Sequence, residues 1–264
     1  MSGYGGGETT PPYPPSQLLE VSDLSLSFGG ITALQGVGLS LSEGEMLAVI
    51  GPNGSGKTSL FNCISGIYRP GAGVIRFRGE SLLDLAPDAI ARRGIARTFQ
   101  NLRLFPTMNV LDNLMVGRHL HFRKSFLAAL LRRRDEETRH RRRCEEIIEF
   151  LNLEMVRKAR VADCPYGIQK RVELARALAT EPTLLLLDEP VSGLTQEEKE
   201  EFAYWIHEIR GRFGITVLLV EHDLRVASRL AGRMVALDHG VKIAEGAPGE
   251  VQRHPDVVKA YLGE

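Results

Sequence analysis

The chain has 264 residues, of which 43% are hydrophobic and 25% are charged, so we expect one composite domain with two lobes and a real core. Lys and Arg together number 33, as do Asp and Glu, and this zero net charge gives no global reason to expect nucleic acid or an anionic membrane as a partner. No apolar run reaches the roughly 20 residues of a transmembrane helix. The cysteines Cys63, Cys144 and Cys164 lack metal-binding spacing and are expected to be reduced structural thiols.

The first 16 residues, MSGYGGGETTPPYPPS, are rich in Gly and Pro and lack the basic and apolar regions of a signal peptide. We therefore expect a disordered leader over residues 1–16. Order is expected to begin near Leu18, where two segments alternate apolar and polar residues as half-buried strands do: LLEVSDLSLSF and ALQGVGLSLS.

Short, wholly apolar runs predict strands that are buried on both faces, as in a parallel sheet. They lie at 46–50 (MLAVI), 183–187 (TLLLL) and 215–220 (ITVLLV), and further strands are predicted at 234–238 and 241–246. Between the second and third runs, an amphipathic helix is indicated by apolar residues at Phe202, Trp205, Ile206 and Ile209. Buried strands that alternate with helices predict an α/β fold with a parallel sheet. Residues 87–180 are mostly helical in pattern and are predicted to form an inserted lobe.

A phosphate-binding loop is predicted where the first apolar run ends. Residues 51–58 read GPNGSGKT and fit the pattern G-x-x-x-x-G-K-[ST] between a buried strand and a predicted helix. Glycines let the backbone curl so that its N–H groups point into one concavity, and the helix N-terminus favours phosphate. Lys57 would reach the β- and γ-phosphates, and the Thr58 hydroxyl would bind Mg²⁺. The residues expected to bind ATP here are Gly51, Pro52, Asn53, Gly54, Ser55, Gly56, Lys57, Thr58 and Ser59.

Two carboxylates, Asp188 and Glu189, follow a later apolar run, at the end of a buried strand. Ligands of parallel sheets bind beyond this end of the strands. Asp188 suits a direct or water-mediated Mg²⁺ contact, and Glu189 points differently and would polarise an attacking water. An acid pair at a helix N-terminus is the alternative interpretation, and the phosphate loop in the same chain disfavours it.

These two motifs and three further residues, in their order and spacing, resemble the ABC ATPase family from about Leu18 onward. The resemblance implies an α/β P-loop NTPase (RecA-like) core with an antiparallel β subdomain and an inserted helical subdomain. It implies that Gln100, in the sequence TFQ, senses Mg²⁺, the attacking water and a membrane partner. It also implies that His222 contacts the γ-phosphate and that Phe28 stacks on adenine.

The expected domain boundaries follow from the same resemblance. The ABC ATP-binding domain is expected over residues 17–264. Its core with the β subdomain comprises 17–86 and 181–244, its helical subdomain 87–180, and its C-terminal helical tail 245–264.

The family signature, usually Leu-Ser-Gly-Gly-Gln, appears here as PYGIQ at residues 165–169. The resemblance implies that the helix beginning there binds, in trans, the γ-phosphate of ATP held by a second subunit, through Tyr166, Gly167 and Gln169. Tyr166 replaces the Ser. Its hydroxyl still supplies a hydrogen-bond donor, but one that lies further from the backbone than a Ser hydroxyl. Ile168 replaces the second Gly and cannot easily adopt a positive φ.

The Tyr-Gly-x-Gln pattern and the final sequence IAEGAPGEVQRHPDVVKAYLGE are similar to one branch of the family, the ATPases of branched-chain (hydrophobic) amino-acid importers. This branch implies a homo- or heterodimer of ATP-binding subunits, two integral-membrane permeases and an external solute-binding protein. It implies ATP and Mg²⁺ as cofactors, no nucleic acid, and a peripheral position at the cytoplasmic face of the inner membrane. Thr195 stands where the family usually has an Asp that contacts the other subunit.

Other functions stay open at this point. The chain could be the ATPase of another transport system, such as lipid export, although Tyr166 disfavours that. An ABC-type ATPase acting on nucleic acid or ribosomes usually has fused cassettes or long coiled coils, and this chain has neither. A non-enzymatic regulatory subunit is disfavoured by the intact Lys57, Asp188, Glu189 and His222.

Residues 132–143 contain seven arginines with three acids interleaved. We interpret them as a solvated helix face near the membrane surface, with pairs such as Asp135–Arg139 and Glu137–Arg141. A polybasic patch for lipid headgroups or nucleic acid is the alternative interpretation.

Overall fold

The computed structural model describes residues 17–121 and 126–262, with the backbone alone over 126–134. The predicted leader, residues 1–16, lies outside the described residues.

The described strands are β1 (Gln17–Phe28), β2 (Ile31–Ser42), β3 (Met46–Ile50), β4 (Ala72–Phe77), β5 (Glu80–Ser81), β6 (Ile95–Arg97), β7 (Leu184–Asp188), β8 (Thr216–Glu221), β9 (Arg233–Asp238) and β10 (Val241–Gly246). The described helices are α1 (Lys57–Ile64), α2 (Pro87–Arg92), α3 (Val110–Arg118), α4 (Phe126–Phe150), α5 (Tyr166–Ala179), α6 (Gln196–Phe213), α7 (Leu224–Leu230), α8 (Pro248–Val251) and α9 (Pro255–Leu262). Short 3₁₀ turns occur at His119–His121, Glu154–Val156 and Val161–Asp163.

Two sheets form the core. A four-stranded sheet has the order β2-β1-β4-β5 and is antiparallel, as its alternating sequences predict. The six-stranded sheet has the order β10-β9-β3-β8-β7-β6, and every neighbouring pair in it is parallel except β10 with β9. The predicted α/β fold with an antiparallel β sheet beside the nucleotide-binding core is confirmed.

The wholly apolar strands are buried on both faces because helices and the second sheet cover both sides of the six-stranded sheet. In β3, Met46, Ala48 and Ile50 pack into one hydrophobic cluster with the helical lobe. Leu47 and Val49 pack into a second cluster with the antiparallel sheet and α1. Strands β7 and β8 divide their side chains in the same way, so the unbroken apolar runs are explained by two buried faces.

The amphipathic helix predicted after the second apolar run is α6. Its predicted apolar face is buried as a whole: Phe202, Trp205, Ile206 and Ile209. The helix ends at Gly214, whose φ of 64° suits a left-handed C-cap. The three cysteines are buried and free, as expected, and burial raises the pKa of both Cys63 and Cys144 to about 11.

The segment predicted as mostly helical, 87–180, is mostly helical and includes one short strand. It contains the short strand β6, which pairs in parallel with β7 and forms the edge of the six-stranded sheet. Three residues are too few for a periodicity signal, and Arg97 gives the strand a charged end. Helix α2 precedes this strand, and helices α3, α4 and α5 pack on one another beyond it.

Candidate functional site

The phosphate loop joins β3 to α1, as its sequence predicts. Gly51 has a φ of 150°, and a Cβ added there would lie 2.1 Å from the carbonyl oxygen of Leu237. Gly56 has a φ of 100°, and its added Cβ would lie 2.6 Å from the carbonyl oxygen of Ala33. Both positions therefore require glycine. The resulting curl ends at the N-terminus of α1, where backbone N–H groups and the helix dipole favour an anion.

Lys57 lies inside the curl of this loop. Its Nζ donates hydrogen bonds to the carbonyl oxygens of Gly51 (2.7 Å) and Pro52 (2.8 Å) and lies 3.4 Å from Oγ of Ser55. The side chain is buried, whereas the neighbouring Thr58 is exposed. The loop thus presents a fixed ammonium group and an accessible hydroxyl at the same helix end.

A cavity of about 220 Å³ connects the loop to the residues predicted to handle water. It is lined by the phosphate loop, Ala33, Gln100 and Glu189. Two larger cavities also occur: one of about 670 Å³ between the outer side of the loop and the C-terminal helix α9, and one of about 320 Å³ between α2, β6 and α5. Only the smallest of the three brings the loop together with Gln100 and Glu189.

Gln100, Glu189 and His222 converge although they are far apart in sequence. Nε2 of Gln100 donates to Oε2 of Glu189 over 3.1 Å, and Nδ1 of His222 lies 3.6 Å from the same oxygen. Glu189 has a φ of 46°, which is uncommon for a residue other than glycine and turns its side chain away from that of Asp188. The structure thus brings together the three residues that the sequence assigned to water and the γ-phosphate.

Asp188 ends β7 and is buried. Its Oδ2 pairs with the guanidinium of Arg97 at 2.8 Å, and its backbone N–H lies 3.4 Å from Oγ1 of Thr98. Arg97 has no role predicted from the sequence. The available signal was a basic residue at the end of β6, directly before the TFQ sequence.

Three more charged side chains near the site are buried and were also missed: Lys170, Glu173 and Glu221. Burial lowers the pKa of Lys170, an effect that Glu173 and Glu221 partly offset. Burial raises the pKa of Glu173, which accepts from the backbone N–H groups of Phe99 and Arg103 at 3.4 Å each. The pKa of Glu221 is raised to about 7, mainly by burial and secondly by the nearby Glu189 carboxylate.

The residues assigned to the signature lie at the start of α5. Nε2 of Gln169 donates to the carbonyl oxygen of Cys164 at 2.8 Å. The hydroxyl of the exposed Tyr166 donates to the backbone carbonyl oxygen of Ser192 at 3.4 Å. Ile168 lies in the first helical turn, where ordinary right-handed backbone suits any residue. A Cβ at Gly167 would lie 2.3 Å from Oε1 of Glu198. Across the part of the chain that the structure describes, no hydrogen bond or ion pair joins Tyr166, Gly167 or Gln169 to the phosphate loop.

Phe28 ends β1 and is 46% exposed. Its ring packs edge-on against Tyr68, with 5.0 Å between the ring centroids. Ala33, five residues further on, lines the cavity of the phosphate loop. An exposed ring at this position can stack on a flat base.

Thr195 caps α6. Its Oγ1 accepts from the backbone N–H of Glu198 at 3.3 Å, and Oε2 of Glu198 accepts from the backbone N–H of Thr195 at 2.9 Å. This reciprocal pair is a capping box. The side chain that replaces the usual Asp is therefore used within its own chain.

The arginine run lies on α4, and only its part from residue 135 onward has described side chains. Within that part, neither expected pair forms: no ion pair joins Asp135 to Arg139 or Glu137 to Arg141. Other pairs form along the same helix: His140 lies 3.9 Å from Glu136, and both Arg142 (3.9 Å) and Arg143 (2.7 Å) pair with Glu146. Arg143 also pairs with Glu181, which follows α5, at 3.1 Å, whereas Arg142 is exposed.

Comparison with known protein families supplies the identity that the geometry suggests. Residues 34–192 match the family model described as ABC transporter. The chain belongs to the ABC transporter family. Residues 241–264 also match the model described as branched-chain amino acid ATP-binding cassette transporter. The predicted family is confirmed, and the chain is an ATPase of the ABC type.

Curated relatives cover the cassette almost from end to end. It is 40% identical over 250 residues to the high-affinity branched-chain amino acid transport ATP-binding protein BraF of Pseudomonas aeruginosa, covering 94% of this chain and 98% of that one. It is 38% identical, with the same coverage, to the corresponding protein LivG of Escherichia coli.

Solved structures match the cassette equally widely. One is the ADP conformation of an ATP-binding cassette of an ABC transporter, with a TM-score of 0.83, 31% identity, and coverage of 94% of this chain and 100% of that one. Another is a dimeric ATP-binding cassette in a post-hydrolysis state bound to ADP and Pi, with a TM-score of 0.75, 27% identity and coverage of 88% and 99%. Their fold is the P-loop NTPase fold that the sequence predicts.

Proposed function

We propose that this cassette hydrolyses ATP to energise the import of branched-chain or other hydrophobic amino acids through separate membrane permeases. The observation that carries the cargo assignment is the match of residues 241–264 to the branched-chain cassette model. The identity to BraF and LivG over nearly the full length of each chain supports it. The chemistry of the cargo is inferred from these relatives.

ATP and Mg²⁺ fit the residues present at the phosphate loop. Lys57 would bind the β- and γ-phosphates, and Phe28 would stack on the adenine. Oxygen atoms of Thr58, Gln100 and Asp188, the hard donors that Mg²⁺ prefers, would hold the ion. The ion would neutralise charge that develops on the phosphoryl oxygens.

Hydrolysis is assigned to the three converging side chains. Glu189 orients the attacking water and accepts its proton. Gln100 holds the Glu189 carboxylate through the bond from its Nε2, and this bond fixes where the water binds. His222, 3.6 Å from the same carboxylate and exposed, is placed to contact the γ-phosphate.

The site is proposed to be completed by a second cassette, identical or paralogous. Tyr166, Gly167 and Gln169 would contact ATP bound to the phosphate loop of that partner. Tyr166 and Gln169 make hydrogen bonds to the backbone of Ser192 and Cys164, away from the phosphate loop of their own chain, which is compatible with this arrangement. The dimeric neighbour bound to ADP and Pi supports it.

The remaining partners are proposed from the same branch. No helix among the described residues is long and apolar enough to cross a membrane. We assign the cassette to the cytoplasmic face of the inner membrane, bound peripherally to two integral-membrane permeases. An external solute-binding protein would deliver the amino acid.

The test is uptake of labelled leucine, isoleucine and valine by cells that lack the gene for this cassette. We expect uptake to fall and to be restored by the wild-type gene but not by the Glu189→Gln gene. Uptake of lysine, a charged amino acid, serves as the control and should not change. Unchanged uptake of the three hydrophobic amino acids, with loss of a different solute, would overturn the cargo assignment and leave the ATPase assignment standing.

A further inference from the structure

A single buried arginine contacts the proposed metal ligand from the strand beside it. Arg97 ends β6, Asp188 ends the neighbouring strand β7, and the two strands pair in parallel. One terminal nitrogen of Arg97 lies 2.8 Å from Oδ2 of Asp188. The two side chains are only 6% and 3% exposed, so solvent screens this ion pair little.

The same guanidinium also binds the helix that begins at the phosphate loop. Its other terminal nitrogen donates to Oδ1 of Asn62 and to Oγ of Ser65, each at 2.8 Å. Thr58, Asn62 and Ser65 follow one another at spacings of four and three residues, so they share a face of this segment. Arg97 therefore links Asp188 to the helix face that carries the second proposed metal ligand.

Two aromatic rings hold the guanidinium in place. Its carbon lies 5.5 Å from the ring centroid of Phe61 on α1 and 4.9 Å from that of Phe99, next to Gln100. A guanidinium that has three hydrogen-bond acceptors and two ring neighbours has little freedom to move. Lysine offers a single point charge and cannot reproduce this forked geometry.

We propose that Arg97 is a positioning residue for the Mg²⁺ site: it holds Oδ2 of Asp188 and ties it to α1, so that Oδ1 keeps a fixed separation from Thr58. This inference rests on the proposed function, since it takes Asp188 and Thr58 as metal ligands. The physical reason is that a ligating carboxylate needs its second oxygen fixed by a hydrogen bond. Loss of such an outer contact typically weakens metal binding about 10- to 100-fold.

The experiment measures metal binding and not turnover. The Glu189→Gln protein is saturated with ATP in EDTA-treated buffer, Mn²⁺ is titrated as a spectroscopic substitute for Mg²⁺, and bound Mn²⁺ is read by electron paramagnetic resonance. We expect the Arg97→Met change to raise the Mn²⁺ dissociation constant about 10- to 100-fold. ATP binding without metal should stay within about twofold, because the phosphate loop is unchanged. Arg97→Lys, which keeps the charge, should give an intermediate shift.

Controls separate this inference from the proposed function. Arg93→Met removes a half-buried arginine that pairs with Glu80 shortly before β6, away from Asp188, and should not change Mn²⁺ binding. Asp188→Asn should shift Mn²⁺ binding at least as far as Arg97→Met. If Asp188→Asn shifts it and Arg97→Met does not, the role of Arg97 is overturned and that of Asp188 stands. If neither shifts it, the metal assignment of Asp188 is wrong and the inference is overturned with it.

Two further outcomes are decisive. Equal loss of ATP binding with and without metal in Arg97→Met would show a merely structural role and overturn the proposal. Should Arg97→Met fail to fold, the Asn62→Ala and Ser65→Ala double change keeps the ion pair and removes the link to α1. We expect it to raise the Mn²⁺ dissociation constant at least about threefold, and an unchanged constant would overturn the proposal.

Discussion

Gln100 and Glu189 are joined by a hydrogen bond from Nε2 of the first to Oε2 of the second, 3.1 Å long. Gln100 lies three residues beyond β6, and Glu189 directly follows β7, so the parallel pairing of these strands brings the two side chains to one edge of the sheet. His222 follows β8, the next strand along, and reaches the same carboxylate oxygen. The three residues thus form one unit, positioned by consecutive strands of one sheet.

Glu189→Gln should bind MgATP and hydrolyse it far more slowly. An amide cannot accept the proton of the attacking water, and loss of a positioned base typically lowers the rate about 10²- to 10⁴-fold. Phosphate release measures the rate, and equilibrium binding of a fluorescent ATP analogue measures affinity. Lys57→Ala is the contrasting variant, since removal of the ammonium group should weaken binding itself. Wild-type turnover by Glu189→Gln would contradict the assignment of the base.

Stability should fall as pH rises from about 4.5 to about 7, because burial and the Glu189 carboxylate raise the pKa of Glu221 from 4.5 to about 7. In this window the folded state binds more protons than the unfolded state, so the free energy of unfolding decreases with increasing pH. Glu221→Gln removes the titrating carboxyl group. Between pH 5 and pH 8, the free energy of unfolding should therefore fall less in this variant than in the wild type, by up to about 3 kcal/mol. Urea unfolding at both pH values measures this, with the exposed Glu154→Gln as the control. An identical pH dependence in wild type and Glu221→Gln would contradict the prediction.

Thr195→Ala should destabilise the cassette by about 1 kcal/mol, the usual cost of losing an N-cap side chain. The reason is the capping box with Glu198 at the start of α6. Thr195→Asp keeps an oxygen acceptor at the cap and should be close to wild type. Urea unfolding of the three proteins measures the difference. A Thr195→Ala protein as stable as wild type would show that the capping box contributes nothing.

ATP should bring two cassettes together, because each proposed site lacks its signature contacts until a partner supplies them. Light scattering of Glu189→Gln should show a molar mass that doubles when ATP is added. The double variant Lys57→Ala, Glu189→Gln should remain at the monomer mass because it binds ATP poorly. A mass that never rises, in the presence of a paralogous cassette as well, would count against the in-trans site.

Arg143→Gln should destabilise the protein by up to about 1 kcal/mol, since Arg143 pairs with Glu146 on its own helix and with Glu181 after α5. The matched control, Arg139→Gln with Arg141→Gln, changes two exposed arginines of the same run and should leave stability unchanged. Urea unfolding separates the two cases. Fluorescence anisotropy with labelled DNA and RNA at physiological salt tests the alternative use of the run. Submicromolar binding that is lost in the control variant would favour a nucleic-acid function.

The sequence determined the elements whose signal is local. The apolar runs identified β3, β7 and β8 because a strand with two buried faces must be apolar throughout. The spacing of Phe202, Trp205, Ile206 and Ile209 identified the buried face of α6. The phosphate loop was predictable because its turn requires glycine at fixed positions and its chemistry requires the lysine that follows. These features depend on residues that are neighbours in the chain.

Only the tertiary structure decided which distant side chains meet. Arg97 and Asp188 are 91 residues apart, and their ion pair exists because β6 and β7 are neighbours at the edge of the sheet. Strand order is set by the packing of whole helices against the sheet, which no local pattern records. The left-handed backbone of Glu189 is less favourable locally than a right-handed one, so only the surrounding packing can hold it. That packing thereby orients the proposed catalytic carboxylate.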